Sequence, residues 1–193
     1  QSRGLGDVYK RQTMLNDLSA ETSKYFMKAP PANILEFAIS DRVILVEGPS
    51  EYMLFEKFYE TVTNHKPETD GVNIIDVRGL SFKRYLELSK LIGEKTAVVT
   101  DNDHDYKRHC VDKYSDYAQT NNIKIFFSQD NKQNTFEVVL YNNNRNLCNE
   151  LFGNAALEYM LKNKTESAYQ LLLSEKEIIV PEYIRRAIEW IKE

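Results

Sequence analysis

The chain has 193 residues, 42% of them hydrophobic, which suits one domain of ordinary size with a buried core. No apolar run approaches the ~18 residues of a membrane helix, and a formal net charge of −4 argues against a protein that coats nucleic acid by charge alone. The two cysteines, Cys110 and Cys148, lack metal-ligand spacing and are typical of reduced thiols in a cytoplasmic protein.

The first forty residues differ from the rest of the chain. Residues 1–12 have no hydrophobic periodicity, and we expect a non-native or disordered leader there. Residues 13–40 predict a helical lead-in that is broken at Pro30 and Pro31 and resumes at Ile34. The core of the fold is therefore expected to begin near residue 41.

Residues 41–134 alternate between strand-like and helix-like patterns. Short aliphatic and β-branched runs, typical of buried parallel strands, occur at 42–47, 72–77, 96–101 and 123–128. Helical spacing of apolar residues occurs between them, at 50–63, 82–92 and 105–121, and a turn is expected at Gly79. Such alternation implies right-handed crossovers, so we predict an α/β fold with a Rossmann-like parallel sheet flanked by helices.

The character of the sequence changes in residues 135–193. Helical patterns without intervening strands occur at 135–141, 153–162, 165–174 and 181–192. No Gly/Ser-rich linker precedes them. We therefore predict a helical C-terminal extension packed on the α/β core rather than a separate domain.

Two acidic clusters follow the first and third predicted strands. Glu47 ends the first strand, and Glu51 lies just inside the next helix, with Ser50 as its expected N-cap. Asp101 and Asp103 end the third strand and would point to the same side of an extended backbone. Because the carboxyl ends of parallel strands meet at one edge, the four carboxylates should lie together, where Mg²⁺ or Mn²⁺ would relieve their repulsion.

Each acidic cluster also fits a different role. Glu51 could simply complement the dipole of its helix, Glu47 could be a solvated strand end, and an Asp-x-Asp pair often forms a turn. The pair also fits a phosphatase or phosphotransferase with Asp101 as nucleophile, although that class places its aspartates on the first core strand. A third interpretation is a non-catalytic DNA-binding or assembly module with a vestigial acidic site.

The order of these motifs resembles the Toprim domain, through the segments 43–51, 77–79 and 98–103. More narrowly, the chain is similar to the Toprim region of the OLD (overcoming lysogenization defect) family of ATP-dependent endonucleases. The segments that carry this narrower similarity are 30–38, 135–137, 163–168 and 180–190. The resemblance covers most of residues 30–193 and implies a Toprim-type sheet.

This resemblance implies a metal-dependent DNA endonuclease that nicks or cleaves phosphodiester bonds. Glu47 would be the catalytic glutamate, and Lys164 would stabilise charge in the transition state. The implied ligands of two Mg²⁺ or Mn²⁺ ions are Glu47, Glu51, Asp101, Asp103 and Glu137. Two of these residues also fit simpler roles, since Glu137 could be a polar residue near a helix start and Lys164 a solvated lysine in a turn.

The remaining expectations concern partners. Four basic residues near the expected active edge could contact DNA phosphates or merely cover solvated helix faces: Lys83, Arg84, Lys107 and Arg108. The Gly-rich phosphate-binding loop of the family's ATPase half does not occur in this sequence. The resemblance therefore implies the C-terminal part of a longer protein, with DNA, an ATPase domain and a homodimer as partners, and without ATP hydrolysis of its own.

Overall fold

The computed structural model describes residues 17–28, 31–78 and 82–193. The expected leader at 1–12 and the expected turn at Gly79 lie outside these residues. Across the described ranges, no helix combines the length and the apolar character that a bilayer crossing requires.

Within the described residues, four parallel strands form one sheet. They are β1 (Arg42–Val46), β2 (Val72–Asp76), β3 (Lys95–Val99) and β4 (Ile123–Phe126), in the spatial order β2-β1-β3-β4. The predicted parallel sheet is therefore confirmed, and β1 and β3 lie side by side at its centre. Each strand ends one or two residues earlier than predicted, so the acidic clusters lie just beyond the strands.

Helices lie on both faces of this sheet. Those before and within the strand region are α1 (Ala20–Lys28), α2 (Pro31–Ile39), α3 (Pro49–Thr63) and α4 (Phe82–Ile92). Those that follow β4 are α5 (Phe136–Asn143), α6 (Arg145–Phe152), α7 (Ala156–Lys162), α8 (Lys164–Leu173) and α9 (Glu182–Lys192).

Two hydrophobic clusters hold the helices to the sheet. Because successive strand residues point to opposite faces, Ile44 and Val46 enter one cluster while Val43 and Leu45 enter the other. The first cluster contains α3 and the helices after β4, and the second contains α2 and α4. The helices after β4 therefore pack on the sheet, which fixes them next to its carboxyl edge. The division of the chain into domains stays a prediction.

The predicted helix at 105–121 is wrong. A π-helical turn (Lys107–Asp112) and a 3₁₀ turn (Ser115–Tyr117) occupy the segment instead. Only Cys110 and Tyr114 are buried in it, so the segment lacks the continuous apolar stripe that holds an amphipathic helix against a core. Conversely, α6 was not predicted, because its asparagine-rich sequence has low helix propensity and its apolar stripe is short.

Candidate active site

A cavity of about 170 Å³ lies at the carboxyl edge of the sheet. The β1–α3 turn, the end of β3 and the first residues of α5 and α8 meet around it. Its walls contain four acidic side chains and one lysine, namely Glu47, Glu51, Asp101, Glu137 and Lys164. The fold thus brings together five of the six residues that the sequence suggested for metal binding and catalysis.

Glu47 and Asp101 are in direct contact across the two central strands. Glu47 Oε2 accepts hydrogen bonds from the backbone N–H of Asp101 and from the hydroxyl of Thr100, each at 3.3 Å. This contact follows from the topology, since β1 and β3 pair in register up to Leu45 and Val98. The two hydrogen bonds fix the orientation of the Glu47 carboxylate at the cavity.

Glu51 lies on the first turn of α3 and is buried. The expected N-cap at Ser50 is wrong: Gly48 is the N-cap and Pro49 occupies the first helical turn, a position that suits its fixed φ. Burial raises the pKa of the Glu51 carboxyl to about 7. The nearby carboxylates Glu137 and Glu47 raise this pKa further. A backbone hydrogen bond to the Glu51 carboxylate and the charge of Lys164 lower it.

Asp101 carries a carboxyl group whose proton affinity is strongly raised by its surroundings. Burial raises its pKa to about 9, and Glu47, Glu51 and Glu137 act in the same direction against the opposing charge of Lys164. Four carboxylates in one small volume cannot all ionise at neutral pH without a compensating cation. The cavity is therefore poorly compensated by the protein alone.

Glu137 and Lys164 form an ion pair at the wall of this cavity. Lys164 Nζ lies 3.0 Å from Glu137 Oε2, and the exposed fractions of the two side chains are 49% for Lys164 and 4% for Glu137. Burial lowers the pKa of Lys164, but the hydrogen bond with Glu137 and the nearby carboxylates outweigh it and raise the pKa overall. Lys164 is thus a charged lysine held at the cavity rather than a freely solvated one.

Asp103 lies apart from the other four carboxylates. The backbone is left-handed at Asp103 and His104, with φ of 47° and 69°, and Asp103 is exposed. The expectation that Asp101 and Asp103 point to one side of an extended backbone is therefore wrong. The turn forms because the Asn102 side chain accepts a hydrogen bond from the backbone N–H of His104 at 3.1 Å.

The four candidate DNA-binding residues differ in their surroundings. Lys83, Lys107 and Arg108 are exposed. Arg84 is ion-paired to Glu21 at 2.8 Å and donates to the Thr22 hydroxyl at 3.2 Å. The first three are therefore accessible to a phosphate, whereas Arg84 links α4 to α1.

Two further residues of this region have roles that the sequence did not define. Asn102 is 1% exposed, and its amide nitrogen lies within 3.2 Å of the backbone oxygens of Ser128, Asp130 and Gln133, which ties the loop after β4 to the acidic turn. Tyr183 on α9 is buried, and burial followed by the charges of the nearby carboxylates raises its pKa. The sequence suggested that Asn102 adds an oxygen ligand or a hydrogen bond beside the aspartates, but not that it anchors the loop after β4. Tyr183 gave no signal beyond its place on an apolar helix face.

The donor set of the cavity suits a hard divalent cation. Carboxylate oxygens are the ligands that Mg²⁺ and Mn²⁺ prefer, and the single lysine does not balance four acidic groups. Over the described ranges, no three His, Cys, Asp or Glu side chains converge closely enough to form a ready ligand set. The carboxylates line the cavity without converging on one point, so the fit is one of chemistry rather than of preformed geometry.

The family model and the solved structures that match this chain both describe OLD proteins. Residues 39–103 match the family model described as the overcoming lysogenization defect protein-like, TOPRIM domain. The chain is similar in structure to the C-terminal region of the Xanthomonas campestris pv. campestris OLD protein, with 21% identity, a TM-score of 0.58, and 81% of this chain and 94% of that chain covered. It is also similar to the C-terminal region of the Burkholderia pseudomallei OLD protein, with 17% identity, a TM-score of 0.61, and 80% and 98% covered. No curated protein matches significantly.

Proposed function

We propose that this chain, whose fold is of the Toprim type and whose residues 39–103 match the OLD-like Toprim family model, is the catalytic part of a metal-dependent DNA endonuclease. The resemblance to this domain family, carried by the sequence motifs, is confirmed. The observation that supports the proposed activity most is the acid-lined cavity at the strand ends. Glu47, Glu51 and Asp101 lie within the matched segment, and Glu137 and Lys164 join them from the helices beyond it.

We propose that Glu47, Glu51, Asp101 and Glu137 hold two Mg²⁺ or Mn²⁺ ions, with Asp103, which lies outside the cavity wall, as a further ligand. When bound, such ions supply Lewis-acid stabilisation of charge on a phosphate and lower the pKa of a bound water. The chain's own contribution is to orient the carboxylates, since the backbone N–H of Asp101 fixes Glu47.

Glu47 and Lys164 are the proposed catalytic residues. Glu47, held by two hydrogen bonds, would accept the proton of the attacking water. Lys164, held beside the cavity by Glu137, would place a positive charge where negative charge develops on the phosphate. Neither group needs a large rearrangement, because both already border the same cavity.

The partners follow from the proposed activity. DNA is the substrate, and the solved relatives, which are C-terminal regions of OLD proteins, support a longer protein with a further domain. We propose that this further domain is an ATPase domain and that the protein forms a homodimer. A cytoplasmic location stays a prediction of the sequence.

Nicking of supercoiled plasmid tests the proposed function. We expect nicked circles with Mg²⁺ or Mn²⁺ and none with EDTA, because the uncompensated carboxylates would repel the phosphate. Ca²⁺ should support much slower nicking, since its larger and more flexible coordination shell activates water poorly. Metal binding without nicking by the full-length protein would favour a non-catalytic DNA-binding module, and nicking that resists EDTA would contradict the metal site.

The salt dependence of DNA binding tests the basic residues. Lys83→Ala and Lys107→Ala should each weaken binding and reduce the slope of log K against log salt by about 1, because a lost phosphate contact releases one counterion fewer. The measurement is fluorescence anisotropy of a labelled duplex at several salt concentrations.

A matched control variant is Lys66→Ala. Lys66 lies ahead of β2, at the opposite edge of the sheet, and is ion-paired to Glu56 at 3.2 Å. For Lys66→Ala, the slope of log K against log salt should equal that of the parent. Equal slopes for all three variants would remove Lys83 and Lys107 from the DNA-binding surface.

A further inference from the structure

A second cavity, of about 330 Å³, is lined in part by Tyr183. Burial and the charges of the four carboxylates of the acid-lined cavity raise the pKa of Tyr183, so the two cavities are close to each other. Its wall includes Phe127 and Ser128, which follow β4, and Val139 and Asn143 of α5, the helix whose first turn carries Glu137. Because β4 pairs with β3, the ends of the two strands lie about 4.8 Å apart. The two cavities therefore share one helix and open at neighbouring strand ends.

Phe127 gives the second cavity a flat aromatic surface. Phe127 follows the end of β4 and contributes to the wall of this cavity. The Phe127 ring stacks on Tyr106, with ring centroids 5.9 Å apart and planes at 20°. Both rings are half-buried. Tyr106 thus covers one face of the Phe127 ring, and the other face is the one that a ligand could contact.

Amide groups, one carboxylate (Glu182) and one cation (Arg186) line the cavity around this aromatic face. The side-chain nitrogens of Gln133 and Asn143 already donate to Asp130 Oδ2 at 3.4 Å and to Val139 O at 2.8 Å, so their side-chain oxygens can accept further hydrogen bonds. Gln129 and Arg186, both exposed, add donors at the rim. A flat apolar surface with hydrogen-bond donors and acceptors around it, and with one carboxylate that offsets the one guanidinium, suits a nucleobase. A phosphate would need concentrated positive charge.

The wall of this cavity is fixed in place. The amide of buried Asn102 is within hydrogen-bonding distance of the backbone oxygens of Ser128, Asp130 and Gln133, at 2.8 to 3.2 Å. Asn102 is adjacent to Asp101, so the same turn positions a proposed metal ligand and the loop of the second cavity.

We propose that the second cavity binds one unpaired base of the DNA strand being cleaved, stacked on Phe127 next to the scissile phosphate. This inference rests on the proposed function and extends it to the choice of substrate. A base can enter only after it leaves the helical stack, which is easiest at a bulge, a frayed end or a single-stranded segment. The protein therefore prefers DNA with an unpaired nucleotide to continuous duplex.

The test is a binding comparison with Ca²⁺, which should compensate the carboxylates while supporting only slow nicking, so that it reports binding rather than cleavage. Fluorescence anisotropy measures the affinity of the parent for a duplex with a one-base bulge and for the same duplex fully paired. We expect about tenfold tighter binding of the bulged duplex, the scale of one base stacked on an aromatic ring. Phe127→Leu, which keeps apolar volume but removes the aromatic face, should reduce this preference to about twofold or less.

The matched control is Phe152→Leu. Phe152 also stacks on a tyrosine, Tyr159, with centroids 5.1 Å apart, but it lies on α6, away from the second cavity. The preference of the Phe152→Leu variant for bulged over fully paired DNA should equal that of the parent. A free deoxynucleoside monophosphate should compete only weakly with the bulged DNA, because it lacks the neighbouring strand.

Three results would overturn the inference. They are equal binding of both duplexes by the parent, an unchanged preference in folded Phe127→Leu, and a free mononucleotide that competes as well as bulged DNA. The parent comparison needs no variant, so it decides even if Phe127→Leu does not fold. Loss of the bulge preference with intact nicking rejects this inference alone, whereas absent nicking with an intact preference rejects only the proposed function.

Discussion

Glu47→Gln is expected to slow plasmid nicking by about 10²–10³-fold, the range typical for loss of one preorganised catalytic group. The amide keeps the volume of the side chain, and its oxygen can still accept the hydrogen bonds from Thr100 and from the backbone of Asp101. What the substitution removes is a negative charge that would hold a metal ion and a group that would take a proton from water. The measurement is the single-turnover rate of nicked-circle formation with Mn²⁺.

Two controls separate catalysis from folding and from contamination. Glu68→Gln changes an exposed glutamate in the turn Pro67–Asp70, at the opposite edge of the sheet, and should nick at the parental rate. Both variants should melt cooperatively, as the parent does, since neither creates a cavity in the core. If Glu47→Gln nicks as fast as the parent in parallel preparations, the assignment of the active site to this cavity is wrong.

The central part of the site was predictable from sequence because of how buried parallel strands are encoded. A strand covered on both faces is a continuous aliphatic run, and the first polar residues after it must lie at the carboxyl edge of the sheet. The runs that precede Glu47 and Asp101 meet this description, and the two strands proved to be neighbours. Local pattern and topology therefore sufficed for these two carboxylates.

Other parts of the site depend on tertiary contacts that no local pattern encodes. The ion pair of Glu137 with Lys164 joins the starts of two helices whose mutual position depends on packing against the sheet. Only the family resemblance suggested either residue. The exposed position of Asp103 depends on a turn stabilised by the Asn102 side chain, and an extended backbone was the wrong assumption there.

The melting temperature of the metal-free protein is expected to fall as pH rises from about 4 to 9. In the folded protein the pKa values of Asp101 and Glu51 are raised to about 9 and about 7, whereas both carboxyls titrate near 4 when unfolded. Between these values the folded state binds more protons than the unfolded state, so each pH increase favours unfolding. The loss of stability is therefore complete above about pH 9, and stability is regained as the pH falls toward 4.

Mn²⁺ should restore most of the melting temperature that the metal-free protein loses at high pH. A cation bound only by the folded state at 100 times its dissociation constant stabilises by about 2.7 kcal/mol, which corresponds to roughly 5–10 °C in a domain of this size. Because protons compete with the metal for the same carboxylates, this gain should be larger at pH 8 than at pH 5.5. Differential scanning fluorimetry with and without Mn²⁺ across this pH range measures both effects.

Asp101→Asn identifies the group responsible. Asn stays neutral in the buried site without taking up a proton, so Asp101→Asn should raise the metal-free melting temperature at pH 8 and flatten its pH dependence. It should also abolish most of the gain from Mn²⁺, because a ligand is lost. Asp103→Asn should have a smaller effect, since Asp103 is exposed, and Asp116→Asn, in the exposed turn Ser115–Tyr117, should have none. A parent protein whose melting temperature ignores millimolar Mn²⁺ at pH 8 would argue against a metal site. An Asp101→Asn variant that melts lower than the parent without metal would show instead that the Asp101 carboxylate stabilises the fold.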